Sequence, residues 1–204
     1  MAITLWGHPI SNNTRKIQWA LRELDLPYSF QTVDLLRGEQ KEPHILQLNP
    51  NGRVPILRDD DVTLWESQAI LLHLAEKTGR LWPAGARDQA AARQWLFWVA
   101  ADLQGALQRP WYAKLLASFG QALDEAAHAA QVTAAAAPLS VLNQALAGRD
   151  HLVGDGFSVV DIAALEPIDL AGLAAIPLDP YPHVLRWRAR LHERPAFVAT
   201  RPPA

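Results

Sequence analysis

Two groups of polar residues stand just before predicted helices, where their side chains could bind a ligand. Ser11 and Asn13 close the first loop of the chain, and Glu66 with Ser67 opens a later helix. A helix N-terminus offers unpaired backbone N–H groups and the positive end of the helix dipole, so it can bind an anion. The same residue types also cap ordinary helices, and the residues around Ser67 by themselves favour that simpler interpretation.

Composition excludes several classes of chemistry. The 204-residue chain has no cysteine, which rules out disulfides, thiolate metal sites and a cysteine nucleophile. None of its seven histidines shows zinc-site spacing, so we expect no metal cofactor. The net charge of -2 argues against a nucleic-acid-binding surface. No apolar run is long enough to span a bilayer and no signal peptide is evident, so we expect a cytoplasmic protein that binds no membrane.

Residues 1–79 predict a small α/β domain. The patterns are a strand, a helix and a second, parallel strand, then a polar run with a short apolar turn, a hairpin and a final helix. The predicted ranges are 3–6, 14–24, 28–33, 37–42, 44–48, 54–57 with 62–64, and 66–79. Arg58 to Asp61 form the predicted hairpin turn.

Residues 80–86 read as a linker, and residues 87–204 predict an all-α domain. A long helix contains Trp95 and Trp98, and a second helical pattern at 116–147 is expected to kink or divide at Pro138. Ser158 and Asp161 have the spacing of a capping box, and a last helix is predicted at 182–193.

The segment NPNGRVPIL, residues 49–57, puts a proline where a strand begins. Proline cannot donate a ladder hydrogen bond, so a central strand should not open this way. A sheet with this element order and a Val54–Pro55 start resembles the thioredoxin-like layout, in which that proline is cis. The bend then turns the N–H and C=O of Val54 away from the sheet, where a peptide-like ligand can pair with them.

Further motifs extend this resemblance to a family. NPNGRVPIL followed by WESQAI at 65–70 resembles the glutathione-binding core of the cytosolic glutathione transferases. The segments GHPIS at 7–11 and EQKEP at 39–43 are similar to serine-type members, of the plant phi class or the bacterial Ser/Thr-x-Asn type. The resemblance covers nearly the whole chain and implies a thioredoxin-like domain, an all-helical domain and reduced glutathione as co-substrate.

The family pattern implies a role for each matching position. Ser67 would bind the α-carboxylate of glutathione by its hydroxyl and backbone N–H, and Glu66 would meet the α-ammonium. Val54 and Pro55 would hold the peptide backbone. At the other end, the glycyl carboxylate would be bound by side chains in two loops: Gln40, Lys41 and Arg53. Residues 39–42 could equally form an ordinary solvated loop.

The resemblance makes Ser11 the donor to the glutathione thiol. Lowering a thiol pKa of about 8.5 by about 2 units requires about 2.7 kcal/mol of preferential thiolate stabilisation. One hydroxyl bonded to an anion supplies about 1.5–3 kcal/mol, and the helix N-terminus adds about 0.3–1 kcal/mol. Asn13 is either a second donor or, like Asn12 or Thr14, a helix cap.

The family layout also implies an electrophile pocket between the domains, with Trp98, Leu103, Trp111 and Tyr112 as wall residues. Arg109 and Pro110 are expected to break the helix there. The leading interpretation is a homodimeric detoxifying transferase that joins glutathione to small hydrophobic electrophiles. One alternative is a glutathione-dependent disulfide or peroxide reductase, and another is a non-catalytic protein-interaction module.

Overall fold

A computed structural model describes residues 3–200 of the chain. Its sheet has four strands in the order β2-β1-β3-β4. β1 (Ile3–Gly7) and β2 (Tyr28–Thr32) are parallel and are joined by α1 (Asn12–Glu23). β3 (Ile56–Asp59) runs antiparallel to β1 and pairs with β4 (Val62–Trp65) as a hairpin. The predicted thioredoxin-like β-α-β, hairpin and helix order is confirmed.

Three smaller features differ from the expected bounds. Arg58 and Asp59 belong to β3, so the hairpin turn is only Asp60 and Asp61. The polar run forms a 3-10 turn at Glu39–Lys41, and the apolar residues after it form α2 (Pro43–Leu46) rather than a turn. α3 (Ser67–Thr78) begins at Ser67, with Glu66 as its N-cap residue.

The way the strands pair brings several loops to one end of this sheet. Gly7, the last residue of β1, pairs with Thr32, the last residue of β2. Trp6 is opposite Ile56, the first residue of β3, and Ile56 is also opposite Trp65, the last residue of β4. The loop after β1, the segment before β3 and the start of α3 therefore lie at the same end. Most of the predicted glutathione contacts belong to these loops.

The part of the chain after residue 82 is helical. The first long helical stretch consists of α4 (Ala86–Trp98), a π-helical turn at Val99–Leu103 and α5 (Gln104–Ser118). Pro110 lies inside α5, so the expected break there is wrong. The π-helical turn at Val99–Leu103 is a local irregularity of this stretch, and such turns are rare insertions in α-helices.

The second helical pattern divides at the position expected from Pro138 and also at an earlier connection. α5 ends at Ser118, residues 119–124 form a connection, and α6 (Glu125–Ala134) and α7 (Ala136–Ala145) meet at Ala135. Pro138 is the third residue of α7, and the predicted division at this proline is confirmed, since the helical pattern breaks at Ala135 just before it. In the first turn of a helix the proline N–H would have no intrahelical partner anyway, so its absence does no harm.

The core of the helical part surrounds α8 (Val159–Ile168), every residue of which is buried. The predicted capping box at its start is confirmed, since Ser158 and Asp161 bond each other's backbone as that motif requires. The Asp161 carboxylate also accepts hydrogen bonds from the Leu152 N–H at 3.1 Å and from Trp187 Nε1 at 2.9 Å. Trp187 lies in α9 (Pro182–His192), so the capping box also holds α9 in place.

The described residues form two compact units, residues 3–82 with 194–200, and Pro83–Glu193. The boundary at Trp82 lies within residues 80–86, and the segment from Arg194 groups with the first unit. Arg194 binds the Glu23 carboxylate with contacts of 2.7 and 2.8 Å. Phe197, in α10 (Pro195–Val198), packs edge-on against Trp19 of α1.

Candidate functional site

Ser11 is itself the N-cap of α1. Its Oγ accepts a hydrogen bond from the Thr14 N–H at 3.3 Å, so neither Asn12 nor Thr14 is needed for that role. A serine hydroxyl has one donor and two acceptor positions. Capping uses an acceptor position only, which leaves the O–H able to donate to a ligand. Capping and ligand binding by Ser11 are therefore compatible.

Asn13 connects the two helix starts that the sequence singled out. Its Oδ1 lies 3.3 Å from Ser67 Oγ, although 54 positions separate the two residues. The single proton of the Ser67 hydroxyl also faces Gln68 Oε1, at the shorter distance of 2.8 Å, and Ser67 is only 4% exposed. The side chain of Asn13 therefore lies beside the start of α3.

The Val54–Pro55 peptide bond is cis, as the thioredoxin-like layout implies. β3 begins only at Ile56, and within residues 3–200 the backbone N–H and C=O of Val54 take part in no hydrogen bond. Val54 is half-buried, next to the sheet end where the β1 loop and α3 begin. An extended peptide could pair with this free donor and acceptor as an added strand does.

Asn49 holds this segment in place, a role that the sequence analysis did not assign. It is 2% exposed, its Nδ2 donates to the Arg53 carbonyl at 2.8 Å, and its Oδ1 accepts from the Asn51 N–H at 3.0 Å. Asparagine in an Asn-Pro-Asn-Gly sequence is a typical turn former, so the signal was present in the sequence. It identifies a turn but not the buried contacts that this turn makes.

The 3-10 turn at Glu39–Lys41 packs against the same segment. Lys41 Nζ donates to the Asn51 carbonyl at 3.0 Å. Gly52 has φ +57, and a Cβ there would lie 2.7 Å from the Gln40 carbonyl oxygen and 2.8 Å from Lys41 Nζ. Only glycine allows this approach, because it tolerates the left-handed backbone and has no side chain. Lys41 and Arg53, both exposed, therefore lie on adjoining loops.

Gln40 provides a second sign of a ligand. Its Oε1 is buried without a hydrogen-bond partner in the described residues. Unpaired buried polar atoms are rare in folded proteins and call for an explanation. The 39–41 turn therefore contains an acceptor that the described residues leave unsatisfied.

Glu66 has an unusual backbone conformation, with φ 71 and ψ 114. This region of φ and ψ is sparsely populated by residues other than glycine, and such residues cluster at functional sites. The side chain of Glu66 is exposed at the start of α3, directly before the buried Ser67. The carboxylate is therefore accessible to a cationic group of a ligand.

The residues predicted to contact an electrophile all lie in the long helical stretch. Trp98 ends α4 and packs edge-on against Trp95 with ring centroids 5.0 Å apart. Trp111 and Tyr112 lie in α5, and Tyr112 is 51% exposed. Leu103 is completely buried in the helical unit, so it has no surface to offer a ligand.

Comparisons with known proteins agree with this architecture. Residues 1–76 match the family model of the glutathione S-transferase N-terminal domain, and residues 105–195 match the model of the C-terminal domain. Glutathione S-transferase GstB of Escherichia coli K12 is 36% identical over 198 residues, covering 95% of each chain. The chain belongs to the glutathione S-transferase family.

Two further similarities concern the chemistry within this family. The disulfide-bond oxidoreductase YfcG of Escherichia coli K12 is 35% identical over 201 residues, which cover 95% of this chain and 92% of that protein. A glutathione transferase family member from Pseudomonas fluorescens Pf-5, solved with two glutathione molecules bound, superposes with a TM-score of 0.90 at 27% identity. That match covers 97% of this glutathione S-transferase family chain and 91% of the solved one.

Among residues 3–200, no helix has the length and apolar character needed to cross a membrane.

Proposed function

We propose that this enzyme transfers the thiolate of reduced glutathione to small hydrophobic electrophiles. The observation that carries the proposal is the Ser11 hydroxyl, whose donor remains available at the sheet end where Val54 presents an unpaired backbone. A peptide thiol held along Val54 would lie near the loop that ends at Ser11. The family membership makes glutathione the natural ligand for this arrangement.

Each part of glutathione has a proposed partner. The α-ammonium group binds the exposed Glu66 carboxylate, and the α-carboxylate binds the N–H groups at the start of α3, with Ser67. The cysteinyl backbone pairs with Val54 beside Pro55. The glycyl carboxylate binds the side chains of the adjoining loops, Gln40, Lys41 and Arg53. In this arrangement the amide NH₂ of Gln40 faces the ligand carboxylate, and a ligand N–H or water satisfies its buried Oε1.

Ser11 and Asn13 are the proposed thiolate donors. The Ser11 O–H donates to the sulfur, and the NH₂ of Asn13, which lies beside the start of α3, adds a second donor. Both groups stabilise the anion and neither attacks the substrate. The thiolate then forms the new carbon–sulfur bond, and the electrophile loses its leaving group or gains a proton.

The Ser11→Ala variant tests this assignment. Losing a hydroxyl bond to an anion worth about 1.5–3 kcal/mol should raise the pKa of the bound thiol by about 1–2 units. Turnover of an aryl halide at neutral pH should fall about 10- to 100-fold, while glutathione affinity stays close to that of the parent. The measurements are thiolate absorbance and kcat/KM across pH, with calorimetry for binding.

Two controls separate chemistry from helix capping. Ser11→Thr keeps both the cap and the O–H, so it should restore the thiol pKa and most of the turnover. Ser11→Gly keeps most of the capping stability but has no hydroxyl, so it should behave like Ser11→Ala. A parental pH profile in Ser11→Ala or Ser11→Gly would exclude Ser11 as the thiolate donor.

We further propose that Trp98, Trp111 and Tyr112 contact the electrophile and that the enzyme is a cytoplasmic, homodimeric detoxification protein. Tyr112→Ala should raise KM for an aryl halide and leave KM for glutathione unchanged.

Analytical ultracentrifugation of the full chain measures the oligomeric state. A mass of one 22.6 kDa chain at micromolar concentration would contradict the dimer.

The similarity to a disulfide-bond oxidoreductase supports a second candidate activity. Two glutathione molecules would reduce a small disulfide to two thiols and leave as glutathione disulfide, so no protein cysteine is needed. Parallel assays with an aryl halide, a hydroperoxide and hydroxyethyl disulfide compare the activities. A kcat/KM for the disulfide far above that for the aryl halide would favour reduction over conjugation.

A further inference from the structure

The loop that ends at Ser11 is a closed turn of four residues. The Ser11 N–H donates to the His8 carbonyl at 2.9 Å, and Pro9 and Ile10 are the two central residues. Proline is favoured at the first central position because its fixed φ suits the turn. Both central side chains are exposed, Ile10 at 59%, so apolar packing contributes little to holding this turn. Its hydrogen bonds therefore set the position of Ser11.

The side chain of His8 makes a second hydrogen bond within the same turn. The Ile10 N–H donates to His8 Nδ1 at 3.3 Å, and it has no other partner within residues 3–200. Asparagine and aspartate stabilise turns in the same way, by accepting from the N–H two positions along the chain. Because Nδ1 accepts, the neutral imidazole carries its proton on Nε2.

Thr14 connects this turn to the start of α1. Its Oγ1 accepts from the His8 N–H at 3.3 Å, and its own N–H donates to Ser11 Oγ at 3.3 Å. Thr14 is completely buried, and a Cβ at Gly7 would lie 2.3 Å from its Cγ2, so the end of β1 and the first turn of α1 are in close contact. Ser11 is thus bonded through its N–H to the His8 turn and through its Oγ to Thr14.

The His8 imidazole is not placed to act as a base on Ser11. In the described part of the chain no hydrogen bond joins the imidazole to the Ser11 hydroxyl, and Nδ1 already accepts from Ile10. Ser11 also needs no base, since it donates to an anion rather than attacking a substrate. The contact that the imidazole does make is with the turn, so its effect on the thiol passes through the position of Ser11.

We propose that His8 is a positioning residue for the thiolate donor. By accepting the Ile10 N–H, its imidazole holds the turn that directs the Ser11 O–H to the glutathione sulfur. The role rests on the proposed function, in which that O–H donates to the thiolate. Loss of the imidazole acceptor should weaken the donor without removing any group that binds glutathione.

His8→Leu removes the acceptor, and the pKa of the bound thiol reports the effect. The turn loses one neutral hydrogen bond, so the thiol pKa should rise by about 0.5–1 unit and turnover of an aryl halide at neutral pH should fall about 3- to 10-fold. Glutathione affinity should stay within about twofold of the parent in calorimetry. Thiolate absorbance across pH gives the thiol pKa, and circular dichroism shows whether the variant is folded.

Two further variants separate the position of the acceptor from its polarity. His8→Asn places a carbonyl oxygen where it can accept from the N–H two positions along, so it should restore the parental thiol pKa. His8→Gln carries the same amide one bond further from the backbone and should behave like His8→Leu, which it replaces if that variant fails to fold. His183→Leu, at a half-buried position of α9 with no role in the site, is the matched control and should keep the parental thiol pKa.

The Ser11→Ala background shows whether His8 acts through Ser11. If it does, His8→Leu adds nothing to the rise in thiol pKa that Ser11→Ala produces by itself. A parental thiol pKa in Ser11→Ala would overturn the proposed function, and the role of His8 with it.

Where Ser11→Ala does raise the thiol pKa, any of three results overturns the role of His8 alone. The first is a parental thiol pKa in folded His8→Leu, or in His8→Gln where that variant replaces it. The second is an equally large rise from His8→Leu when Ser11 is already alanine. The third is a thiol pKa in His8→Asn that stays as high as in His8→Leu.

Discussion

Glu66 allows backbone strain to be tested separately from ligand binding. Its φ of 71 and ψ of 114 lie in a region that non-glycine residues rarely occupy, which costs about 1–3 kcal/mol. Glycine at this position would remove the strain but would add about 0.5–1 kcal/mol of unfolded-state entropy. Glu66→Gly should therefore raise the free energy of unfolding by about 1 kcal/mol. For a chain of this length, the melting temperature should increase by about 2–4 °C.

The same substitution removes the carboxylate proposed to bind the α-ammonium group of glutathione. A hydrogen bond between charged groups is worth about 1.5–3 kcal/mol, so glutathione affinity should fall about tenfold or more. Glu66→Gly is thus expected to be more stable and to bind more weakly. Glu66→Ala loses the carboxylate but keeps the strain, so it should bind equally weakly without the gain in stability.

Ala175→Gly is the matched control for the backbone effect. Ala175 has φ 59 on an exposed turn of the helical unit, so glycine should relieve strain there without changing glutathione affinity. Thermal unfolding by circular dichroism and calorimetric titration with glutathione measure the two quantities. The strain argument is refuted if Glu66→Gly melts no higher than Glu66→Ala. Parental affinity in both Glu66 variants would refute the role of the carboxylate.

The remaining predictions concern the framework of the first unit. Burial opposes ionisation of Asp59, but hydrogen bonds from Lys77 at 2.5 and 2.6 Å, together with His73, hold its pKa below the ordinary 3.8. Its charge therefore stabilises the fold above about pH 4, and this stability is lost as the pH falls through the lowered pKa. Asp59→Asn should cost about 1–3 kcal/mol at pH 7 and progressively less below pH 4 in urea titrations. Asn49→Ala should weaken glutathione binding about tenfold in calorimetry, because the Arg53 carbonyl loses the bond that positions the Val54 segment.

Two neighbouring substitutions serve as controls for these predictions. Asp61→Asn changes an exposed carboxylate in the hairpin turn and should leave stability within about 0.5 kcal/mol of the parent at every pH. If the loss of unfolding free energy in Asp59→Asn stayed constant between pH 7 and pH 3, the ion-pair argument would be contradicted. Asn51→Ala removes only a side-chain bond to Asn49 Oδ1, so it should weaken glutathione binding less than Asn49→Ala does.

Local patterns predicted much of the fold correctly. The alternation and helical periodicity of the first 79 residues indicated the β-α-β, hairpin and helix order, and the spacing of Ser158 and Asp161 indicated a capping box. Pro138 correctly indicated the division at Ala135, because a proline beyond the first turn cannot continue a helix. The other break, at residues 119–124, contains a single glycine and no proline, so its signal was weak.

The candidate site was predictable in its residues but not in its contacts. Motif resemblance pointed to Ser11, Asn13 and Ser67, whereas the bond between Asn13 and Ser67 joins positions 54 residues apart. Whether Gln40 Oε1 has a hydrogen-bond partner likewise depends on which atoms surround it in space. Neither the contact between Asn13 and Ser67 nor the lack of a partner for Gln40 Oε1 can be inferred from the residues that are adjacent in the sequence.

The sequence by itself determined the family, the thioredoxin-like and helical domain types, and the cysteine-free chemistry, because these depend on residue type and short-range spacing. Tertiary structure decided that Phe197 packs on Trp19 and that Asn49 bonds the Arg53 carbonyl next to Val54. Such contacts join residues brought together only when the chain folds. Their free energy depends on burial and on geometry in three dimensions, which spacing along the chain does not specify.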